Sequence, residues 1–299
     1  MHGKLVCGLI ASSILSPLWA QTAEIPTSVD SALVLDAAGP EQRKSLGAIY
    51  LIVCPGGGAG TGFLLESGVI VTNAHVVGTC NHENLFGITA ENHHISFRKV
   101  ITDAHRDLAL LVPNDALKGG LKLANKDNPV PGTTVSTWGY PLLYNGASPL
   151  LSVGYVSGYR EDSSNGSSVK HIVVNGAFNH GNSGGPLLVA HSNEVIGIVV
   201  LTYHFYPPEV KNIIDALGKE NYGLMMGRRR KPDGTTEQIS EAQITAMVLN
   251  EFYEKTQVMI GEAISASELV AVLKQHAAEL PKVDAKNDRL SHLSKTGIP

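Results

Sequence analysis

Three side chains in this chain have the types and settings needed for acyl-transfer chemistry. Ser183 lies in Gly181-Asn182-Ser183-Gly184-Gly185-Pro186-Leu187, His75 in Thr72-Asn73-Ala74-His75-Val76-Val77, and Asp107 in Arg106-Asp107-Leu108-Ala109-Leu110-Leu111. A serine hydroxyl is a weak nucleophile at neutral pH and needs a base beside it. A neutral imidazole suits that task, and a carboxylate then fixes its tautomer and steadies the imidazolium that forms. The pattern therefore assigns Ser183 as nucleophile, His75 as general base and then acid, and Asp107 as orienter. The flanking glycines allow the amides of Gly181 and Ser183 to converge beside the Ser183 oxygen as an anion-binding site.

The competing residues have poorer settings. His82, His93, His94, His105, His171 and His180 lack the context of His75, which closes the apolar run Val69 to Thr72. Adjacent residues on a strand point to opposite faces, so His93-His94 is not expected to bind a metal, and no metal site is assigned. Asp107 opens the buried run Leu-Ala-Leu-Leu, whereas Asp103 reads as part of a polar loop. Gly181-Asn182-Ser183-Gly184-Gly185 also fits the Gly-x-Ser-x-Gly elbow of α/β-hydrolases, but there the order is Ser, acid, His. Here both partners precede the serine, and no strand-helix alternation surrounds it.

These residues must be positioned by strands. Short β-type runs separated by Gly, Asn, Pro and Asp clusters fill Gly47 to about Val200, a pattern of β-barrels or sandwiches. They are Ala48–Cys54, Gly62–Leu65, Val69–Thr72, Ile95–Ile101, Leu108–Val112, Thr134–Trp138, Leu151–Gly158, His171–Val174, Pro186–Val189 and Val195–Leu201, with a linker at 125 to 133 between two halves. Beyond Thr202, Pro207-Pro208-Glu209 starts a helix that Gly218 is expected to stop. Gly223–Arg230 and Thr235–Gln238 flank a turn, and Ser240 to Lys255 has apolar residues at helical spacing. Thr256–Ile264 reads as a strand, and Ser265 with Glu268 as a capping box opening a helix to about Leu280.

With 43% hydrophobic residues in 299, the chain can bury one large core or two smaller ones. A net charge of −4 gives no long-range attraction for nucleic acid, and Arg228-Arg229-Arg230-Lys231 reads as a solvated turn. Residues 1 to 20 read as a secretory signal, with Lys4 ahead of an apolar stretch from Leu5 to Leu15 and Trp19-Ala20 before Gln21. About ten apolar residues fall short of the roughly 20 that a spanning helix needs, so no stable membrane insertion of the mature chain is expected. Cleavage would remove Cys7 and leave Cys54 and Cys80 in an oxidising compartment, as one bridge or as two buried thiols.

Taken together, the motifs resemble the trypsin/chymotrypsin-fold serine proteases, and within them the bacterial HtrA (Deg) type. Gly60-Thr61-Gly62-Phe63 and Asn179-His180-Gly181 join the segments around His75, Asp107 and Ser183 in the family's order across residues 60 to 187. The resemblance implies a mainly β fold of two six-stranded antiparallel β-barrels, with the triad in the cleft between them. It also implies peptide-bond hydrolysis through an acyl-enzyme, without a cofactor, on a polypeptide substrate. Ile260-Gly261-Glu262-Ala263-Ile264 followed by Glu268–Lys274 resembles the family's closing strand and helix more fully than Tyr206 to Leu217 does. The expected organisation is a signal at 1–20, an N-terminal extension at 21–44, a first barrel at 45–126, a second barrel at 127–280 with a helical insertion at about 203–256, and a tail at 281–299.

No stretch reads as a PDZ module. The mature start lacks the Ile-Val-Gly-Gly type that trypsin-like zymogens insert, and neutral Asn182 cannot form their ion pair, so activity without proteolytic trimming is expected. Ala177, six before the nucleophile, resembles the pocket floor, with Val200, Leu201 and Thr202 as walls. An uncharged floor favours small or medium apolar P1 residues, whereas Glu262 near the pocket could reverse that preference. The expected protein is an exported serine endopeptidase, periplasmic or extracellular. The alternatives are a non-catalytic binding or chaperone-like module on the same barrels and an exported esterase.

Overall fold

The computed structural model describes residues 28–281, apart from 57, 79, 126–127, 142–147, 164–167, 177, 205–207, 231–233 and 256. The expected signal at 1–20, residues 21–27 of the expected extension, and 282–299 of the expected tail lie outside the described residues. Two helices missed by the sequence reading, α1 (Ala32–Ala37) and α2 (Pro40–Leu46), lead into the first barrel. Proline in the first turn of α2 supplies a pre-set φ where no N–H is required.

The first barrel is β1 (Ile49–Cys54), β2 (Gly58–Leu64), β3 (Ile70–Thr72), β4 (Phe86–Thr89), β5 (His94–Asp103) and β6 (Leu108–Pro113). It closes in the order β1-β2-β3-β6-β5-β4. The runs Ile-Tyr-Leu-Ile-Val-Cys, Ile-Val-Thr and Leu-Ala-Leu-Leu-Val-Pro are buried along their whole length, which accounts for their lack of polar alternation. Strand β4, Phe-Gly-Ile-Thr, went unread because four residues with an internal glycine carry little signal. Strand β5 extends to Asp103, so that residue ends a strand rather than sitting in a loop. Burial would raise the Asp103 carboxyl, but the amide and guanidinium of Arg106 outweigh it and hold it below the ordinary aspartate range.

The second barrel comprises β7 (Thr134–Gly139), β8 (Leu150–Asp162), β9 (Val169–Asn175), β10 (Pro186–Val189), β11 (Val195–His204) and a late strand, β14 (Gln257–Ser265). The closed order is β10-β11-β14-β9-β8-β7, so β14 completes it between β11 and β9. Both barrels are six-stranded and antiparallel, as the resemblance implied. Val135, Val156, Ile172, Val174, Leu187 and Ile196 pack at the centre of the second.

Residues His204–Thr256 group as a compact unit apart from the barrels. It contains α4 (Pro208–Lys219), a hairpin of β12 (Met225–Arg230) and β13 (Thr236–Ser240), and α5 (Glu241–Lys255). Gly218 does not stop α4: the helix continues to Lys219, and a Cβ at Gly218 would stand 3.5 Å from that of Ala246, an ordinary packing distance. Ser240 caps α5, accepting from the Gln243 amide at 3.2 Å while its own amide reaches Gln243 Oε1 at 3.0 Å.

The last helix, α6 (Ala266–Gln275), is shorter than the sequence suggested and has no side-chain cap from Ser265. The expected capping box fails because Glu268 is engaged elsewhere, with Arg106 Nε at 2.9 Å and the Lys170 amide at 3.2 Å. Among the described residues no helix is long and apolar enough to cross a membrane.

Candidate active site

Strand β3 pairs with β6 in the register Ile70↔Leu111, Val71↔Leu110, Thr72↔Ala109. Two residues beyond the last pair, that register brings Asp107 opposite Ala74, beside His75. Here β3 gives way to α3 (Ala74–Val77), a single turn with Asn73 as its extended N-cap residue. Ala74, Val76 and Val77 face inward while His75 points out, its side chain 50% exposed.

Asp107 adopts φ 51°, a left-handed conformation that Asp and Asn tolerate better than other side-chain-bearing residues. Asn73, fully buried, holds it there by donating from Nδ2 to the Asp107 carbonyl at 2.9 Å. Both carboxylate oxygens then meet His75: Oδ1 accepts from its backbone N–H at 2.9 Å and Oδ2 lies 2.7 Å from Nδ1. An ionised carboxylate can only accept, so Nδ1 carries the hydrogen and Nε2 keeps its lone pair. The sequence reading missed Asn73. Its signal was an amide side chain inside an otherwise apolar strand end, where a buried polar group must have a partner.

The other end of the α3 turn is fastened covalently. Cys80 is bridged to Cys54 at the end of β1, with Cα atoms 5.4 Å apart. A loop of this length is expected to stabilise the fold by about 3–4 kcal/mol in the chain-entropy account. Urea unfolding of a Cys54→Ser, Cys80→Ser double variant should therefore show a loss of that order against the oxidised protein. An unchanged midpoint would mean that the bridge constrains nothing in the unfolded chain.

Two successive glycine turns lead through Ser183, which lies in the second. Asn182 N–H donates to the Asn179 carbonyl at 2.9 Å around Gly181 at φ 99°, and Gly185 N–H to the Asn182 carbonyl at 2.9 Å around Gly184 at φ 86°. Positive φ at the third position is the type II pattern that glycine serves. The run packs against the residues flanking His75: a Cβ at Gly184 would overlap Thr72 Oγ1 and lie 3.0 Å from the Asn73 nitrogen. A Cβ at Gly60 would clash with Val76 and lie 3.1 Å from the Ser183 carbonyl.

Among the described residues neither the Gly181 nor the Ser183 N–H has a hydrogen-bond partner, although Gly181 is buried. Buried amides are nearly always paired, so the unpaired Gly181 amide, with that of Ser183 in the following turn, leaves two donors able to receive one acceptor. Among the described residues the Ser183 hydroxyl meets the Val200 carbonyl at 3.5 Å and makes no hydrogen bond to His75 in this rotamer. At that distance the bond is weak, and a change of χ1 costs little.

The expected pocket residues are only partly described. Ala177 lies outside the described residues, as do the side chains of Leu201 and Thr202, whose backbones continue β11. Val200 is half-buried beside Ser183. Phe178, which the sequence reading passed over, is buried with its ring where a Cβ of Gly261 on β14 would stand. Glu262 is wholly buried, with Arg160 Nε at 2.7 Å and His171 Nδ1 at 2.9 Å, so its charge is matched from within the barrel. Among the described residues no cluster of three or more metal-ligating side chains occurs.

Paired six-stranded barrels carrying this turn define a trypsin-like peptidase domain, and residues 60–198 match the family described by that name. That match places a trypsin-like peptidase domain in this chain, and proteins named as DegP-like and Hho-type serine proteases are among its sequence relatives. The chain is 33% identical over 153 residues to a probable periplasmic serine endoprotease, DegP-like, of Pseudomonas fulva, an alignment covering 48% of this chain and 31% of that protein. It is likewise 33% identical over 147 residues to the putative serine protease HhoB of Synechocystis sp., covering 47% and 34%. The chain thus spans about a third of the length of these curated relatives. In fold it is similar to the inactive form of Rv3671c from M. tuberculosis H37Rv, with a TM-score of 0.54 at 18% identity over 87% of this chain and 100% of that one.

Proposed function

We propose that the chain is an exported serine endopeptidase that forms an acyl-enzyme on Ser183. His75 Nε2 takes the Ser183 proton as Oγ attacks the scissile carbonyl carbon, and the Gly181 and Ser183 amides receive the developing oxyanion. The C–N bond then breaks as His75 passes that proton to the leaving amine. Water, deprotonated by His75, cleaves the ester and returns the hydroxyl. Asp107 keeps the imidazole in its tautomer and balances the imidazolium.

The observation that carries this reading is the double hold of Asp107 on His75, at 2.7 and 2.9 Å, beside a serine turn with two unpaired amides. Export is supported by the signal-like residues 1 to 20 and by a relative named as periplasmic. A preference for small or medium apolar P1 residues is supported by the buried Phe178 ring against Gly261 and by the internal pairing of Glu262. A strict Lys or Arg preference in peptide-library cleavage would refute that preference.

The non-catalytic binding module is favoured by one observation, the Ser183 contact to Val200 in place of His75. Fluorophosphonate labelling separates the two. The endopeptidase reading expects labelling that disappears in Ser183→Ala, together with casein hydrolysis by the chain without trimming. Absence of Ser183-dependent labelling would favour the binding module, and labelling without casein hydrolysis would favour the esterase.

A further inference from the structure

Gly60-Thr61-Gly62-Phe63, part of the resemblance to the family, lies within β2. Thr61 is fully buried at the centre of β2, and every polar atom it has is engaged with the site. Its amide donates to the Ser183 carbonyl at 2.9 Å, and its hydroxyl donates to the Gly181 carbonyl at 2.6 Å while accepting from the Tyr140 amide at 3.0 Å. Its own carbonyl accepts from Thr72 Oγ1 at 2.7 Å.

The consequence follows from the planarity of successive peptides, in which C=O and N–H point in opposite directions. The peptide from Gly181 to Asn182 is held at both ends, its carbonyl by the Thr61 hydroxyl and its N–H by Asn179. The peptide from Ser183 to Gly184 is also held at both ends, its carbonyl by the Thr61 amide and its N–H by Val199 at 2.8 Å. Between them, the peptide from Asn182 to Ser183 has its carbonyl fixed by Gly185, which leaves the Ser183 N–H directed away with no partner. Gly181 at φ 99° has no Cβ to resist a flip, so a glycine turn can rotate unless something retains its carbonyl.

We propose that Thr61 is a positioning residue: by holding the Gly181 carbonyl with its hydroxyl and the Ser183 carbonyl with its amide, it fixes the peptides on either side of the Ser183 N–H and keeps that anion-binding amide aimed beside the Ser183 oxygen. This rests on the reading of Ser183 as nucleophile. Thr61 touches no reacting atom; it acts through the turn.

The test compares wild type, Thr61→Val and Thr61→Ser in the full chain, by fluorophosphonate labelling at increasing probe concentration. Valine keeps the shape and removes the hydroxyl, whereas serine keeps the hydroxyl and removes the methyl. Loss of a direct oxyanion donor costs about 10²–10³ in rate, so a residue one step removed should cost about 10- to 100-fold in the maximal labelling rate of Thr61→Val. The probe concentration for half-maximal rate should stay within about twofold of wild type, because binding before attack does not use the amides. Thr61→Ser should restore the maximal rate to within about threefold of wild type. Should Thr61→Val fail to fold, Thr61→Ala against Thr61→Ser makes the same comparison. Equal maximal rates in wild type and the hydroxyl-free variant would overturn the proposal alone, as would Thr61→Ser labelling as slowly as that variant. A wild type that never labels would overturn both this proposal and the endopeptidase reading.

Discussion

Ser183→Ala is expected to lower kcat for peptide hydrolysis by about six orders of magnitude, since removing the nucleophile of such a unit costs nearly as much as removing all of its members. What remains, about 10³–10⁴ over the uncatalysed rate, would come from the unpaired amides and substrate binding alone. The substitution suits the site. Alanine at 183 keeps the backbone, so Thr61 still meets the carbonyl of residue 183 and Val199 still meets the Gly184 amide. Stability should therefore change little, since the lost hydroxyl makes only a 3.5 Å contact. Kinetics on a fluorogenic peptide at protein concentrations fixed by absorbance, with thermal unfolding in parallel, measure both. A loss below about a hundredfold would remove Ser183 from the chemistry.

Asp107→Asn is expected to reduce kcat by about 10⁴ with the architecture intact. Most substitutions here would be confounded, because φ is 51° and a branched or apolar side chain would strain the backbone. Asparagine tolerates that conformation, leaving the carbonyl available to Asn73 and a side-chain oxygen for the His75 amide. The amide NH₂ would then face Nδ1 and donate to it, forcing the ring hydrogen onto Nε2, where no base remains to accept the Ser183 proton. The loss should ease as pH rises far enough to generate alkoxide without help. A pH–rate profile parallel to that of wild type, displaced by less than tenfold, would show that Asp107 does not set the tautomer.

Much of this site was legible in the sequence because its parts are local and chemically unusual. Gly181 and Gly184 occupy the two positive-φ positions of the serine turns, and glycine is the residue that accepts them at least cost. Asp107 opens β6 one residue before a fully buried run, so its placement at a strand end followed from hydrophobicity alone. Lost from view was what depends on register or on competition between partners. The approach of Asp107 to His75 comes from the pairing of β3 with β6, which no local pattern encodes. Glu268 looked like a capping residue for Ser265, yet the distant Arg106 and Lys170 claim its carboxylate. Phe178 went unread, because its placement against Gly261 depends on segments separated along the chain.

The unit at His204–Thr256 interrupts two strands, β11 and β14, that are neighbours in the second barrel. Loop-closure entropy grows only with the logarithm of length, so even as a flexible loop this segment would cost about 2 kcal/mol more than a short hairpin. That penalty is small against the burial of a strand such as β14, in which Ala263 and Ile264 are wholly enclosed. Thermodynamically the barrel is therefore nearly indifferent to what is spliced between these strands, and the segment is free to diverge in length and content while the catalytic frame is retained.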